Sequence, residues 1–72
     1  MQTVTITTEF IKLQDLLKFA DLVSSGGEAK MLIQDGQVSV DGEPCLQRGK
    51  KIKPGQTVTF QNRDFSVVYA DS

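Results

Sequence analysis

The pattern of hydrophobic and polar positions changes period along this 72-residue chain. Residues 3–7 alternate between threonine and a β-branched aliphatic side chain, which predicts a short strand with one buried face. The next apolar residues follow helical spacing: Leu13, Leu16, Leu17, Ala20 and Val23. Polar residues fill the other side of that spacing, so a first amphipathic helix of about two to three turns is predicted.

A second helix is predicted to begin at Ser25. Ser25 and Glu28 have the spacing of a capping box, in which the serine oxygen accepts from the glutamate amide and the glutamate side chain bonds back to the serine amide. The apolar positions that follow share one helical face: Ala29, Leu32 and Ile33. Gly36 stands where a left-handed residue ends a helix, so this helix is predicted to be about ten residues long.

Strand periodicity returns after Gly36. Val38 and Val40 alternate with polar residues, and Asp41-Gly42 is the residue pair of a type I′ hairpin turn. Residues 43–53 are predicted to be an edge segment followed by a loop, because Pro44 lacks an amide for a ladder.

Two final antiparallel strands are predicted at residues 56–60 and 65–69, joined by residues 61–64. The predicted order is β-α-α-β-β-β. The predicted fold class is therefore α+β, with two short helices packed on a small antiparallel sheet in one domain of residues 1–72.

Length and composition argue against catalysis. A chain of 72 residues cannot hold a nucleotide-binding fold and a second module. It has no histidine for general base work or for the usual zinc ligand sets, and its single cysteine, Cys45, has no partner for an internal disulfide. We therefore expect no enzyme activity, no cofactor and no metal.

Charge is distributed unevenly although the formal net charge is only −1. Between residues 46 and 60 the chain carries four cations and no acid: Arg48, Lys50, Lys51 and Lys53. No apolar run is long enough to span a membrane, and no signal peptide is recognisable. With a free thiol, these features predict a cytoplasmic protein that does not bind membranes.

The start of the second helix is a candidate anion site. Gly26 and Gly27 expose backbone amides where the helix dipole favours a phosphate, and Lys30 and Gln34 follow on the polar face. The alternatives are that the glycines relieve a crowded turn between helices and that Lys30 is an ordinary surface residue. An ordinary solvated loop is likewise the alternative for the four cations of residues 46–60.

These residues resemble the S4-type RNA-binding domain, and within it the small stand-alone bacterial S4-like proteins of the YbcJ/YaaA group. Lys12-Leu13 with Leu16-Leu17-Lys18 is similar to the family's R-L-D-x-x-L helix signature. The segment from Ser25 to Gly42 is similar to its S-R-x-E-A-x-x-L-I-x-x-G-x-V-x-V-N-G core. The resemblance covers about residues 11–60 and implies an αL motif, two helices against a hairpin, that presents a basic surface to structured RNA.

Three positions depart from the family pattern. Gly26 replaces the arginine after the serine, Gln14 replaces the acid of the helix signature, and Asp41 replaces the asparagine of V-N-G. Loss of the arginine removes a bidentate phosphate contact, so the amides of Gly26 and Gly27 would have to substitute for it. The stand-alone group tends to carry the glycine pair.

The sequence thus predicts a monomeric, non-enzymatic protein that binds structured ribosomal or transfer RNA through contacts to the RNA phosphates and backbone. Association with the ribosome is compatible with this prediction. The alternative is a protein-interaction module that docks a ribosomal or other cytoplasmic partner. The predicted RNA-binding residues are Lys12, Lys18, Ser25, Gly26, Gly27, Lys30, Gln34, Arg48, Lys50, Lys51 and Lys53.

Overall fold

The computed structural model describes residues 2–70 and contains two helices and seven strands. The helices are α1 (Leu13–Phe19) and α2 (Gly26–Gln34). The strands are β1 (Gln2–Ile6), β2 (Ile11–Lys12), β3 (Val38–Val40), β4 (Glu43–Pro44), β5 (Lys51–Ile52), β6 (Thr57–Phe60) and β7 (Arg63–Tyr69). The α+β class, the two helices and the hairpin that follows them are confirmed.

Five strands form one sheet in the order β1-β7-β6-β3-β4. The prediction that this sheet is antiparallel is wrong at one edge, because β1 runs parallel to β7. Antiparallel neighbours can be joined by a tight turn, whereas a parallel pair needs a long connection. Here the whole domain between β1 and β7 is that connection, and local sequence pattern does not report such a pairing.

The second sheet is a two-stranded ladder that the sequence analysis missed. β2 and β5 pair antiparallel, with Ile11 opposite Ile52 and Lys12 opposite Lys51. The edge position of β4 is confirmed, but the predicted loop after it contains β5. A strand of two residues carries no periodicity, so only its partner defines it.

The residues predicted to cap α2 stand at its two ends. Ser25 is the N-cap, with extended backbone and a side chain that accepts from the Glu28 amide. At the other end Gly36 adopts φ 78°. Its amide donates to the Ile33 carbonyl and the Gln37 amide donates to the Leu32 carbonyl, which is the bonding of a Schellman motif.

The turns between antiparallel strands are tight. Asp41 and Gly42 both have positive φ, as a type I′ turn between β3 and β4 requires. Gln61 and Asn62 form a second turn with positive φ at both residues. The predicted four-residue connection at 61–64 is therefore wrong, and β7 begins at Arg63.

The helices cover one face of the five-stranded sheet and bury the core between the layers. α1 contributes Leu13, Leu16 and Leu17, each with no exposed surface. The remaining core comes from α2, the strands and the connection between the helices: Val4, Ile6, Val23, Ala29, Ile33, Val38, Val40, Ile52, Val58, Phe60, Phe65 and Val67. Val23 is buried as its spacing predicted, but α1 ends before it.

Candidate functional site

The start of α2 leaves two backbone amides without a partner. The Glu28 amide donates to Ser25 Oγ at 3.2 Å, but the Glu28 carboxylate accepts from the Ser24 hydroxyl at 3.3 Å and not from the Ser25 amide. Only half of the predicted capping box is therefore formed. Within residues 2–70 the amides of Gly26 and Gly27 have no acceptor, as expected at the first turn of a helix.

Crowding does not explain the two glycines. A Cβ atom built on Gly26 would meet no heavy atom within 4 Å, and one on Gly27 would meet only Ser25 Oγ at 3.9 Å, an ordinary contact. Neither residue has positive φ. The alternative that these glycines relieve a tight turn between helices is therefore wrong. Without side chains at these two positions, no Cβ atom lies beside the two partnerless amides.

One exposed face of α2 continues from this start. Gly27, Lys30, Met31 and Gln34 have the i, i+3, i+4, i+7 spacing of a single helical face, and all four are exposed. Met31 is 72% exposed, the most exposed large hydrophobic residue among residues 2–70. Met31 was predicted neither for the apolar face of this helix nor for the candidate site.

Several of the predicted cations lie at or beside the β2–β5 ladder, next to the beginning of α1. The first amides of α1 bond to the carbonyls of the basic segment: Leu13 N donates to Lys50 O at 2.9 Å and Gln14 N to Arg48 O at 3.1 Å. These bonds replace the side-chain cap that α1 lacks. The helix start therefore fixes the backbone of residues 48–50, which the sequence analysis treated as a loop.

Lys12 and Lys51 lie directly opposite each other in this ladder. Facing residues of an antiparallel pair have Cβ atoms about 4.5–5.5 Å apart, and like charges there are destabilising. No acid within residues 2–70 forms an ion pair with either lysine. The Lys51 ammonium lies instead over the Phe10 ring, 5.0 Å from its centroid. The ladder therefore holds positive charge that the described part of the protein does not neutralise.

The other predicted residues are placed differently. Lys18 lies in the last turn of α1 and pairs with Asp15 at 3.5 Å, so part of its charge is offset. Lys53 follows β5, and its amide donates to Gln56 Oε1 at 2.8 Å. The structure thus places five predicted residues at the start and on the exposed face of α2, and four at or beside the ladder. Helix α1 packs against α2 and follows the ladder directly in the chain.

Asp41 is engaged with its own fold. Its carboxylate accepts from the Thr57 amide at 2.9 Å and from Gln56 Nε2 at 3.0 Å. The Thr57 hydrogen bond, then the Gln56 hydrogen bond, lower the pKa of Asp41 below its ordinary value of 3.8, with a smaller contribution from the Lys50 charge. The acid at this departure from the family pattern therefore clamps the β3–β4 turn to the start of β6.

Residues 2–70 show neither a metal cluster nor a membrane-spanning helix. No group of three or more histidine, cysteine or acidic residues is arranged to hold a metal ion. Neither helix combines the length and the apolar character needed to cross a membrane.

Comparisons with known proteins agree with the resemblance read from the motifs. Residues 4–68 match the family model described as the S4 domain. "Probable ribosome maturation protein RlbA" of Bacillus subtilis is 40% identical over 58 residues, which is 81% of this chain and 82% of the relative. "Putative RNA-binding protein YbcJ" of Escherichia coli is 43% identical over 58 residues, which is 81% of this chain and 83% of the relative.

The fold agrees as well. The solution structure of YbcJ from E. coli, described as revealing an αL motif involved in RNA binding, has a TM-score of 0.71 to this structure. The two chains are 39% identical, and the match covers 94% of this chain and 87% of that one. Sequence motifs, family model and fold lead to the same assignment: this chain belongs to the S4 domain family.

Proposed function

We propose that this protein is a non-enzymatic RNA-binding protein that recognises structured RNA, ribosomal or transfer RNA, through its sugar-phosphate backbone. The observation that carries this proposal is the pairing of Lys12 with Lys51 in a ladder whose charge no described acid neutralises. A fold that stabilised only itself would gain from an acid at one of these positions. A polyanion bound across the ladder would turn the repulsion into attraction.

The basic segment and the start of α2 serve the same ligand in this proposal. Arg48 and Lys50 have their backbone fixed by α1, which reduces the entropy lost when their side chains bind phosphate. Gly26 and Gly27 offer partnerless amides, and Lys30 and Gln34 lie on the exposed face that follows. The likeness to YbcJ, described as containing an αL motif involved in RNA binding, supports the choice of RNA over other polyanions.

We also propose that the protein acts as a monomer in the cytoplasm, and that its RNA target lies on or near the ribosome. The likeness to the relative named as a ribosome maturation protein supports the ribosomal setting. A backbone-directed surface of this kind needs no cofactor.

The salt dependence of binding tests the electrostatic mechanism. If about five phosphates are neutralised, affinity for a structured RNA should fall about 100-fold between roughly 50 and 200 mM salt. The measurement is a fluorescence anisotropy titration with a labelled transfer RNA and a labelled ribosomal RNA fragment. Binding that does not change with salt would overturn the mechanism.

Lysine substitutions test the surface. Lys30→Ala and Lys51→Ala should each weaken binding uniformly across RNA sequences and lower the salt slope by about 0.7–0.9. Arg63→Ala is the control, because it removes the same charge from an exposed cation that is not among the predicted RNA-binding residues. Equal effects of all three variants would show that the surface is wrongly placed.

Capture from a cell lysate separates RNA from protein partners. We expect the recovered ribosomal components to be released when nuclease is added. Partners that persist after RNA removal, together with weak binding to purified RNA, would favour a protein-docking module.

A further inference from the structure

A groove of about 530 Å³ lies between the β3–β4 hairpin and the segment that leads to the basic cations. Its hairpin side includes Glu43 and Pro44, and its other side includes Cys45, Leu46 and Lys50. This volume falls within the range of sites that hold small organic ligands. The groove adjoins the cationic ladder. Of the residues that line it, only Lys50 is among the predicted RNA-binding residues.

The apolar part of the groove is held in place by the fold. The Cys45 amide donates to the Val38 carbonyl at 2.9 Å, and Cys45 is half-buried against the core. Leu46 is 59% exposed, yet its Cδ2 atom would lie 4.0 Å from a Cβ atom at Gly36, so it rests against the end of α2. Because Leu46 is both exposed and held against α2, its side chain offers an apolar surface on which a planar base can lie.

Some polar side chains that line the groove form hydrogen bonds within the described part of the fold, and Glu43 does not. Asp41 and Gln56 bond to each other and to the amides of Thr57 and Lys53. Glu43, within residues 2–70, forms no side-chain hydrogen bond or ion pair. A carboxylate beside phosphate-binding cations is unfavourable for RNA binding unless it accepts hydrogen bonds from the ligand.

We propose that this groove binds one unstacked nucleobase of the RNA and prefers a base that presents an exocyclic amino donor, namely guanine, cytosine or adenine, over uracil. The inference rests on the proposed RNA-binding function and adds base recognition to it. The base lies against Leu46 and Pro44, while the Glu43 carboxylate accepts from its amino group, a pairing typical of acidic side chains. Lys50 contacts the phosphate of the same nucleotide.

A hairpin RNA carrying one bulged nucleotide tests this proposal, with guanine, cytosine, adenine or uracil at the bulge. Titrations at low salt should give affinities for bulged guanine, cytosine and adenine about five- to tenfold above bulged uracil. Leu46→Ala should weaken binding of the guanine-bulged RNA about fivefold and leave binding of the unbulged hairpin unchanged.

Glu43→Gln should remove most of the preference over uracil, because an amide presents both a donor and an acceptor to the base. Glu9→Gln is its control, since it changes the net charge equally at an exposed residue that does not line the groove. Thermal unfolding of each variant checks that the fold is retained, and both substituted groove residues are exposed.

The outcomes of these titrations distinguish base recognition in the groove from RNA binding itself. Salt-dependent binding of all four bulged hairpins with equal affinity, unchanged by Leu46→Ala and Glu43→Gln, would overturn the groove and leave RNA binding in place. Binding of no hairpin, no transfer RNA and no ribosomal RNA fragment at low salt would overturn both.

Discussion

Replacing Gly26 with alanine is expected to stabilise the fold and to weaken RNA binding. The added Cβ would meet no heavy atom within 4 Å, and the residue has no positive φ. Alanine at such a position stabilises a protein by about 0.4–1 kcal/mol, chiefly through the unfolded chain. The same methyl group would hinder a phosphate that approaches the helix start, so affinity should fall about fivefold or more.

Chemical denaturation and an RNA titration of the same Gly26→Ala preparation provide the two measurements. Gly27→Ala is a second test, because its Cβ would make only an ordinary contact with Ser25 Oγ at 3.9 Å. If both variants bind RNA like the natural chain, the amides of this helix start do not contact phosphate.

Lys12 is a second residue at which stability and function should separate. It faces Lys51 across the ladder and stands at the N-cap of α1, where a cation interacts unfavourably with the helix dipole. Lys12→Gln should therefore raise the free energy of unfolding by about 0.2–1 kcal/mol. It should also reduce the salt slope of RNA binding by about 0.7–0.9.

Lys12→Arg is the matched control, since it keeps the charge and should keep the salt slope. Urea denaturation and salt titrations measure the two effects. A Lys12→Gln variant that is less stable than the natural chain would show that this lysine contributes to the fold, and the argument from uncompensated charge would fail.

At the scale of the element, local chemistry was enough for some predictions and not for others. The ends of α2 followed from Ser25 and Gly36, because caps are built from residues adjacent in sequence. The β3–β4 turn followed from Asp41-Gly42 for the same reason. The parallel β1–β7 pair and the β2–β5 ladder join segments far apart along the chain, so no local pattern indicated them.

The same distinction applies to the candidate site. The sequence predicted two separate features, Lys30 near a helix start and four cations in a loop. Only the ladder shows that Lys12 and Lys51 face each other, and only the helix amides show that Arg48 and Lys50 are held. The spacing of Met31 four residues after Gly27 is compatible with the polar face of α2, but only its exposure in the fold shows that it lies there.

The Asp41 clamp between the β3–β4 turn and β6 predicts an acid-dependent loss of stability. The hydrogen bond from Thr57, then that from Gln56, holds the pKa of Asp41 below 3.8 in the folded protein. A depressed folded pKa stabilises the protein fully above the unfolded value, and this contribution is lost as pH falls through the folded pKa. Stability contributed by Asp41 is therefore constant near neutral pH and decreases below about pH 4.

Urea denaturation across this range compares the natural chain with Asp41→Asn. The asparagine oxygen can still accept from the Thr57 amide, but the group no longer titrates. The variant should therefore show a shallower loss of stability below about pH 4. Parallel pH profiles for the two proteins would mean that other carboxylates determine the acid transition.

At the scale of the whole molecule, the placement of charge matters more than its sum. The formal net charge is −1, so the overall field gives RNA no attraction. Four of the eight cations lie between residues 46 and 60, where the chain has no acid. Arg63 is a cation outside this group; it donates to Gln2 Oε1, and its guanidinium lies over Phe65 at 5.3 Å.

Two arginine substitutions separate a local surface from the overall field. Arg48→Gln and Arg63→Gln change the net charge equally and start from exposed residues of the same type. If the whole-molecule field controlled binding, both would weaken it equally. If RNA lies across the ladder, Arg48→Gln should lower the salt slope by about 0.7–0.9, whereas Arg63→Gln should leave it unchanged.

The stability of the two variants should follow the opposite order. Arg63→Gln loses the bond to Gln2 and the contact with the Phe65 ring, which together should cost about 0.5–1.5 kcal/mol. Arg48 contributes to the α1 start through its backbone carbonyl, which glutamine retains. If binding is confined to one face, salt titrations should show a lower slope only for Arg48→Gln, and urea denaturation should show a loss of stability only for Arg63→Gln. If binding is not confined to one face, both variants should lose affinity equally.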